Sequence, residues 1–328
     1  MKFINKHRLN FISFVSYCWL IIFNLLVSPP VQTNLKSVYN PLSPKTANYW
    51  ILTNEIYINN NWTESEAIYD FISGSGTFND PFIIENITIK NLKNGNNAIS
   101  IENSLNYFII RNCKITGSGA SIHNAEINII NSTKGILKNN TISTNIGTGI
   151  SLFKSYNISI IQNTLFNNSY IGIGLSESYN NSIFHNNVNY QGKNVTSGFG
   201  VFLFKSHNNS LSRNTISHNT AIGILLGNSS YNNLTLNIAN HNYLGLRLSQ
   251  NSNYNIIIQN DLKENTYCYI IDNDCLENTL EDNNCGSIGF EFYFFLIAFG
   301  LVFALSLIGL IFAIKKRRKI KRERKQLK

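Results

Sequence analysis

Four groups of residues in this 328-residue sequence could do chemistry, and their spacing decides which chemistry is open to them. Cleavage or epimerisation of acidic polysaccharides needs paired carboxylates as acid and base, or an Asp cluster holding Ca²⁺ beside a basic residue. Between Asp80 and Asp261 there is no Asp, and the Glu residues of that stretch, Glu85, Glu102, Glu126 and Glu177, are widely separated. No catalytic residue is assigned, and Asp80, just ahead of Pro81, reads as a turn or cap. His218 and His241 stand 23 residues apart and are expected as solvated turn residues, so no metal ligand and no cofactor is assigned either. Phe153, Phe202 and Phe204 are expected to point outward from a strand face, where aromatic rings stack on sugars or receive a protein, unless the loop from Gln191 to Phe199 folds over them. Lys154, Glu177 and Lys205 alternate in sign at equivalent places and predict a solvent-screened row of ion pairs.

The element that must position these residues is a repeat. Units starting at Ala98, Glu126, Gly149, Gly172, Gly200, Gly223 and Gly245 follow one another at 28, 23, 23, 28, 23 and 22 residues, with a weaker unit beginning at Cys268. The unit GISLFKSYNISIIQNTL from Gly149 shows the pattern: Gly, apolar, any, apolar, Ser at the seventh place, apolar at the twelfth, Asn at the fifteenth. The seventh place carries Ser104, Ser132, Ser155, Ser178, Ser206 and Ser229 and ends on Asn251, while the twelfth runs from Ile109 and Leu137 to Ile256. Asn112, Asn140, Asn163, Asn186, Asn214 and Asn237 hold the fifteenth. Apolar runs this short, punctuated by Gly, Ser and Asn, turn before a helix can form. One unit cannot bury its apolar face, but units stacked at about 4.8 Å place each inward Ile or Leu on its equivalent in the next coil. The fifteenth-place asparagines are expected at a sharp turn in the left-handed region, their amides bonding along the stack as a ladder. The longer units place their extra residues near Ser118 to Ala125 and Gln191 to Phe199, in loops projecting from one side.

Charge and hydropathy fix the expected compartment. The net charge of +9 is concentrated after Lys315, where ten basic residues face only Glu323. Setting aside Lys2, Lys6 and Arg8 as well, Val31 to Ile314 holds fourteen basic and seventeen acidic residues, which excludes a phosphate-binding surface and a nucleic-acid partner. Phe292 to Ile314 is apolar for 23 residues, long enough as a helix to cross a bilayer, and the basic run behind it places the tail in the cytoplasm. Phe11 to Val27, preceded by basic residues, reads as a signal peptide or an uncleaved signal anchor. The expected organisation is residues 1–30 as signal or anchor, 31–48 as linker, 49–286 as solenoid, 287–314 as transmembrane helix and 315–328 as cytoplasmic tail. The fold class is all-β, a single-stranded right-handed parallel β-helix, flanked by these two helices.

Export permits disulfides, and among Cys268, Cys275 and Cys285 the pair Cys275–Cys285 is expected to staple the final coil. Eleven N-glycosylation sequons occur, of which Asn61, Asn167 and Asn194 are the candidates carried forward.

GSGTFNDPFIIENITI from Gly74, followed by units of G-I-x-L-x-x-S-x-N-x-x-I-x-x-N, resembles the NosD-like right-handed β-helix family over about Trp50 to Cys285. The resemblance implies the pectin-lyase-like fold, in a superfamily that spans lyases, hydrolases, epimerases, a periplasmic copper-enzyme maturation factor and surface proteins. Copper binding as the family name suggests calls for clustered Met, Cys or His, and Met1 is the sole methionine. The favoured reading is a membrane-anchored, extracytoplasmic, non-catalytic protein that contacts a glycan or a cell-envelope protein. The alternatives are a polysaccharide lyase or epimerase with an unusual site, and an accessory of a membrane transporter or metalloenzyme.

Overall fold

The computed structural model describes residues 50–90, 97–117, 124–192 and 197–286. The expected signal segment, linker, transmembrane helix and basic tail lie outside the described residues. Among the described residues no helix is long and apolar enough to cross a membrane.

Each coil contributes one strand to each of three sheets, and strands from successive coils pair in parallel and in register. The coil of the Gly149 unit shows how. Thr148–Phe153 joins a nine-stranded sheet, Ser159–Ile161 a ten-stranded sheet and Thr164–Phe166 a six-stranded sheet. The first of these is called here the long sheet, since its central strands run to six residues. The six-stranded sheet continues beyond Asn187–Asn189 as single bridges through Thr215, Ile238, Asp261 and Asn284.

Period-two alternation turns one face of each strand inward, and register stacks like on like. Ile129, Leu152, Leu175, Leu203, Leu226 and Leu248 form one fully buried column from the long sheet. Ile110, Leu137, Ile160, Ile183, Leu211, Leu234 and Ile257 form another from the ten-stranded sheet. Glycine opens most long-sheet strands because the coils touch there: a Cβ on Gly172 would lie 2.1 Å from Val188 Cγ1 and 2.7 Å from the Gly200 carbonyl oxygen.

The N-terminal end is closed by a short helix, α1 (Trp62–Ile68). Its Trp62 is buried, stacked 4.9 Å from Phe82 and tilted against Phe108 at 5.6 Å, and its indole N–H donates to Ser104 Oγ at 2.8 Å. The cap thereby covers the first exposed coil and satisfies its serine. At the other end a disulfide joins Cys268, in the strand Tyr267–Ile271, to Cys285.

The disulfide corrects the expected Cys275–Cys285 pairing. Cys275 follows Ser229 and Ser252 at the same 23-residue step, so its thiol takes the inward place of the serine column, bonded to the Ser252 backbone N–H. Burial pushes the Cys275 thiol up to about 11. Cys113 is likewise inside, and burial pushes it up to about 12.

Candidate functional site

The asparagine column is built by the turn between the ten- and six-stranded sheets. Nδ2 of Asn140 donates to Asn163 Oδ1, and the same bond runs on through Asn186, Asn214, Asn237, Asn260 and Asn283, each at 2.9–3.0 Å. Each amide oxygen also accepts the backbone N–H of the asparagine before it, and each Nδ2 also reaches a carbonyl of the preceding coil, as Asn163 does to Leu137 at 2.8 Å. Two features differ from expectation. Asn112 is not on the column: the first coil holds one extra residue after Ser104, so Ile110 pairs with Leu137 and Cys113 takes the column place, its N–H donating to Asn140 Oδ1. The left-handed backbone belongs to the residue before each ladder asparagine, at Asn139, Gln162, His185, Arg213 and Leu236. The ladder amide needs the following, ordinary conformation to point inward, and the preceding residue absorbs the turn.

Three further columns run along the stack. Asn181, Asn209, Asn232, Asn255 and Asn278 line the turn after the long sheet, and Asn145, Asn168, Gln191, Asn219, Asn242 and Asn265 the turn before it. The tenth and twentieth places of the units held that signal. The serines form the fourth column, each hydroxyl accepting the N–H of the serine before it. Its seventh member is Ser252, because an extra residue displaces Asn251 to the exposed turn.

Phe202 and Phe204 point outward as expected yet are only 7% and 2% exposed, which corrects their reading as free aromatic faces. The reason is a second apolar cluster on the outer face of the long sheet, separate from the core. Ile171, Phe199, Ile222 and Leu244 follow one register row, and Phe202 and Leu225 the next, with the Phe202 ring 5.9 Å from Phe199 and 6.4 Å from Phe204. Arg247 extends the second row, buried and bonded to Asp272 at 3.0 Å. Phe153 lies two coils before Phe204 and is half-buried, its ring 4.9 Å from Lys154 Nζ.

The expected charge row is present in part. Lys154 reaches Glu177 at 3.8 Å, while Lys205 lies over the Phe204 ring instead. His218 and His241 stack at 4.6 Å rather than converge, Tyr190 covers the other face of His218, and His241 Nε2 meets Glu264 at 2.6 Å. Asn61 is exposed before α1, its Oδ1 accepting the Asn59 N–H, and Asn167 is half-exposed in a left-handed turn. Asn194 lies outside the described residues. An open recess of about 410 Å³ beside the six-stranded sheet is lined by Thr88, Asn112, Lys114, Asn139 and Thr141, with Cys113 at its floor.

Two tyrosine pairs sit elsewhere, on the turn that leaves the long sheet. Tyr156 and Tyr179 stack at 5.0 Å with rings 3° from parallel, and Tyr231 and Tyr254 at 5.1 Å and 4°. Tyr179, Tyr231 and Tyr254 are 43%, 58% and 50% exposed. The coil between the two pairs carries His207 and Asn208. His207 Nδ1 accepts the Ser230 N–H at 3.1 Å, and burial lowers its pKa below the ordinary imidazole value.

A stack of parallel three-strand coils with these ladders matches one family model, NosD, described as periplasmic copper-binding protein, over residues 124–286. Over these residues the chain is a NosD-like right-handed parallel β-helix. A search of curated proteins gives no match. Among solved structures, the NosD-like chain is similar to the periplasmic alginate epimerase AlgG, with 16% identity, a TM-score of 0.47 and coverage of 61% of this chain and 59% of that one. It is also similar to PfbA, a surface adhesin of Streptococcus pneumoniae, with 15% identity, TM-score 0.45 and coverage of 61% and 60%. A third is the Azotobacter vinelandii mannuronan C-5 epimerase AlgE6 A-module, with 10% identity, TM-score 0.40 and coverage of 62% and 65%. The NosD-like chain thus spans less than two thirds of the length of each of these proteins.

The residues present do not fit the copper centre that the family description names. Among the described residues no three His, Cys, Asp or Glu side chains come together as a ligand group, and Cys113 and Cys275 are each buried singly as protonated thiols.

Proposed function

We propose that this protein is an extracytoplasmic scaffold, tethered to the membrane by Phe292–Ile314, whose β-helix presents its turn edges and faces to a glycan or an envelope protein without catalysing a reaction on it. The observation that carries the non-catalytic part is how the carboxylates are spent. Glu85 holds Arg111 at 2.6 Å, Glu102 accepts from the Tyr57 hydroxyl at 3.0 Å, Glu177 meets Lys154, and Asp272 meets Arg247. These acids sit on different coils, each engaged with its own basic or hydroxyl partner rather than set together as an acid and base pair. The compartment is supported by the Cys268–Cys285 bridge, a bond of oxidising surroundings, placed in the last coil before the apolar run.

The test is turnover. Full-length protein in detergent, incubated with polymannuronate, polyguluronate and polygalacturonate, should yield neither unsaturated uronate absorbance nor C-5 epimer signals in the proton NMR spectrum. Either product would overturn the non-catalytic reading.

A further inference from the structure

The two tyrosine pairs lie on adjacent turn columns and leave one coil between them. Tyr179 belongs to the column Tyr156, Tyr179, His207, Ser230, and Tyr231 to the column Asn157, Asn180, Asn208, Tyr231, Tyr254, one residue further along the turn. Within each pair the inner ring faces are stacked on one another. The remaining face of Tyr179 is therefore turned toward the coil of His207, and that of Tyr231 toward the same coil at Asn208 from the opposite side. Two coil steps separate them, about 10 Å. A pyranose with an aromatic ring in contact on each side occupies roughly 8 Å.

The backbone supplies a second observation. Tyr231 and Tyr254 stand at φ +60° and +56°, where the same column elsewhere has Asn157, Asn180 and Asn208. The exchange brings an exposed aromatic ring to a turn position that three earlier coils give to Asn.

The lining is polar and uncharged. Asn208 is exposed between the pairs, and His207, with Nδ1 accepting from the Ser230 N–H, is a neutral ring protonated at Nε2. The nearest cation on the preceding turn position, Lys205, lies over Phe204, and Glu177 is paired with Lys154.

We propose that the notch between Tyr179 and Tyr231, floored by His207 and Asn208, is a binding site for a single pyranose ring of a neutral saccharide. Both sugar faces stack on tyrosine, and the hydroxyls at the ring edge bond to the Asn208 amide and the His207 Nε2–H. The site rests on the reading of the solenoid as a binding scaffold and gives that scaffold a ligand class.

The experiment titrates full-length protein in detergent with β-1,4-mannotriose, with cellotriose and with trigalacturonate, following tyrosine fluorescence and saturation-transfer NMR. At least one neutral trisaccharide should bind, with the acidic one at least tenfold weaker. Tyr231→Asn restores the column's own residue and keeps the fold, checked by circular dichroism, and should weaken binding at least tenfold, as should Tyr179→Ser. Tyr190→Asn, on another turn, should leave it unchanged. Absence of binding by the wild type, equal binding by the Tyr231→Asn variant, or preference for trigalacturonate overturns the notch. The uronate turnover test stands apart from these outcomes, so the notch can fail while the scaffold reading survives.

Discussion

At the scale of single residues, the fold divides each turn between two neighbours with opposite tasks. One residue takes the left-handed backbone and faces solvent; the next points inward and bonds to its equivalents above and below. Asn186 shows the load on the inward member: its oxygen accepts two bonds from Asn163, and its Nδ2 reaches Asn214 Oδ1 and the Ile160 carbonyl. Asn186→Ala leaves these buried partners unsatisfied and should cost about 3 kcal/mol, read as a lower urea midpoint by circular dichroism. The outward member behaves oppositely. Leu236, at φ +58° and exposed, gains nothing from its side chain, so Leu236→Asn should raise the midpoint by about 1 kcal/mol in the same measurement. This division also explains the sequons. Asn139-Asn140-Thr141, Asn180-Asn181-Ser182 and Asn208-Asn209-Ser210 each read as left-handed turn, inward ladder and strand start, so the turn chemistry itself writes Asn-x-Ser/Thr. The inward place was legible from the sequence because the period repeats it. Which residue of the turn bears the positive φ was not, because Asn suits both tasks.

At the scale of elements, the ends carry the risk, since an uncovered coil exposes core and unpaired edges. The helix α1 covers the first coil through Trp62, and Trp62→Ala should cost about 4 kcal/mol by leaving a cavity against Phe82 and Phe108, seen as faster hydrogen exchange in Phe82–Glu85 and Phe108–Arg111. At the far end the Cys268–Cys285 bridge closes a 17-residue separation, and the Cys268→Ser/Cys285→Ser variant should lose about 3 kcal/mol of protection, confined to the last coil. Spread of the exchange into Leu244–Ser249 would mean that the bridge supports more than its own coil. The bridge itself could not be chosen from spacing. Three cysteines within one coil look equivalent until the serine column claims Cys275 for the interior. The one-residue offset of the first coil was hidden for a related reason: Ile109 and Ile110 are both apolar, and Asn112 sits where a ladder asparagine was expected. Outward Phe202 and Phe204 were correctly oriented by period-two alternation, but alternation says nothing about a whole outer face turning apolar, which took the register rows to reveal.

At the scale of the whole molecule, period, short apolar runs and turn residues together specify a parallel β-solenoid, because such units bury their apolar faces only by stacking on one another. Among the described residues, tyrosine and histidine stack in columns of their own on the turns of the solenoid. We propose that the solenoid faces outward from a cell membrane, held by the C-terminal apolar run. Protease shaving tests it most directly: cells expressing the full chain, with an epitope tag after Lys328, are treated with proteinase K before and after permeabilisation. An outward-facing β-helix, followed by an antibody to it, is cut on intact cells while the tag is protected until permeabilisation. A β-helix reached only after permeabilisation, or a tag removed from intact cells, would contradict it.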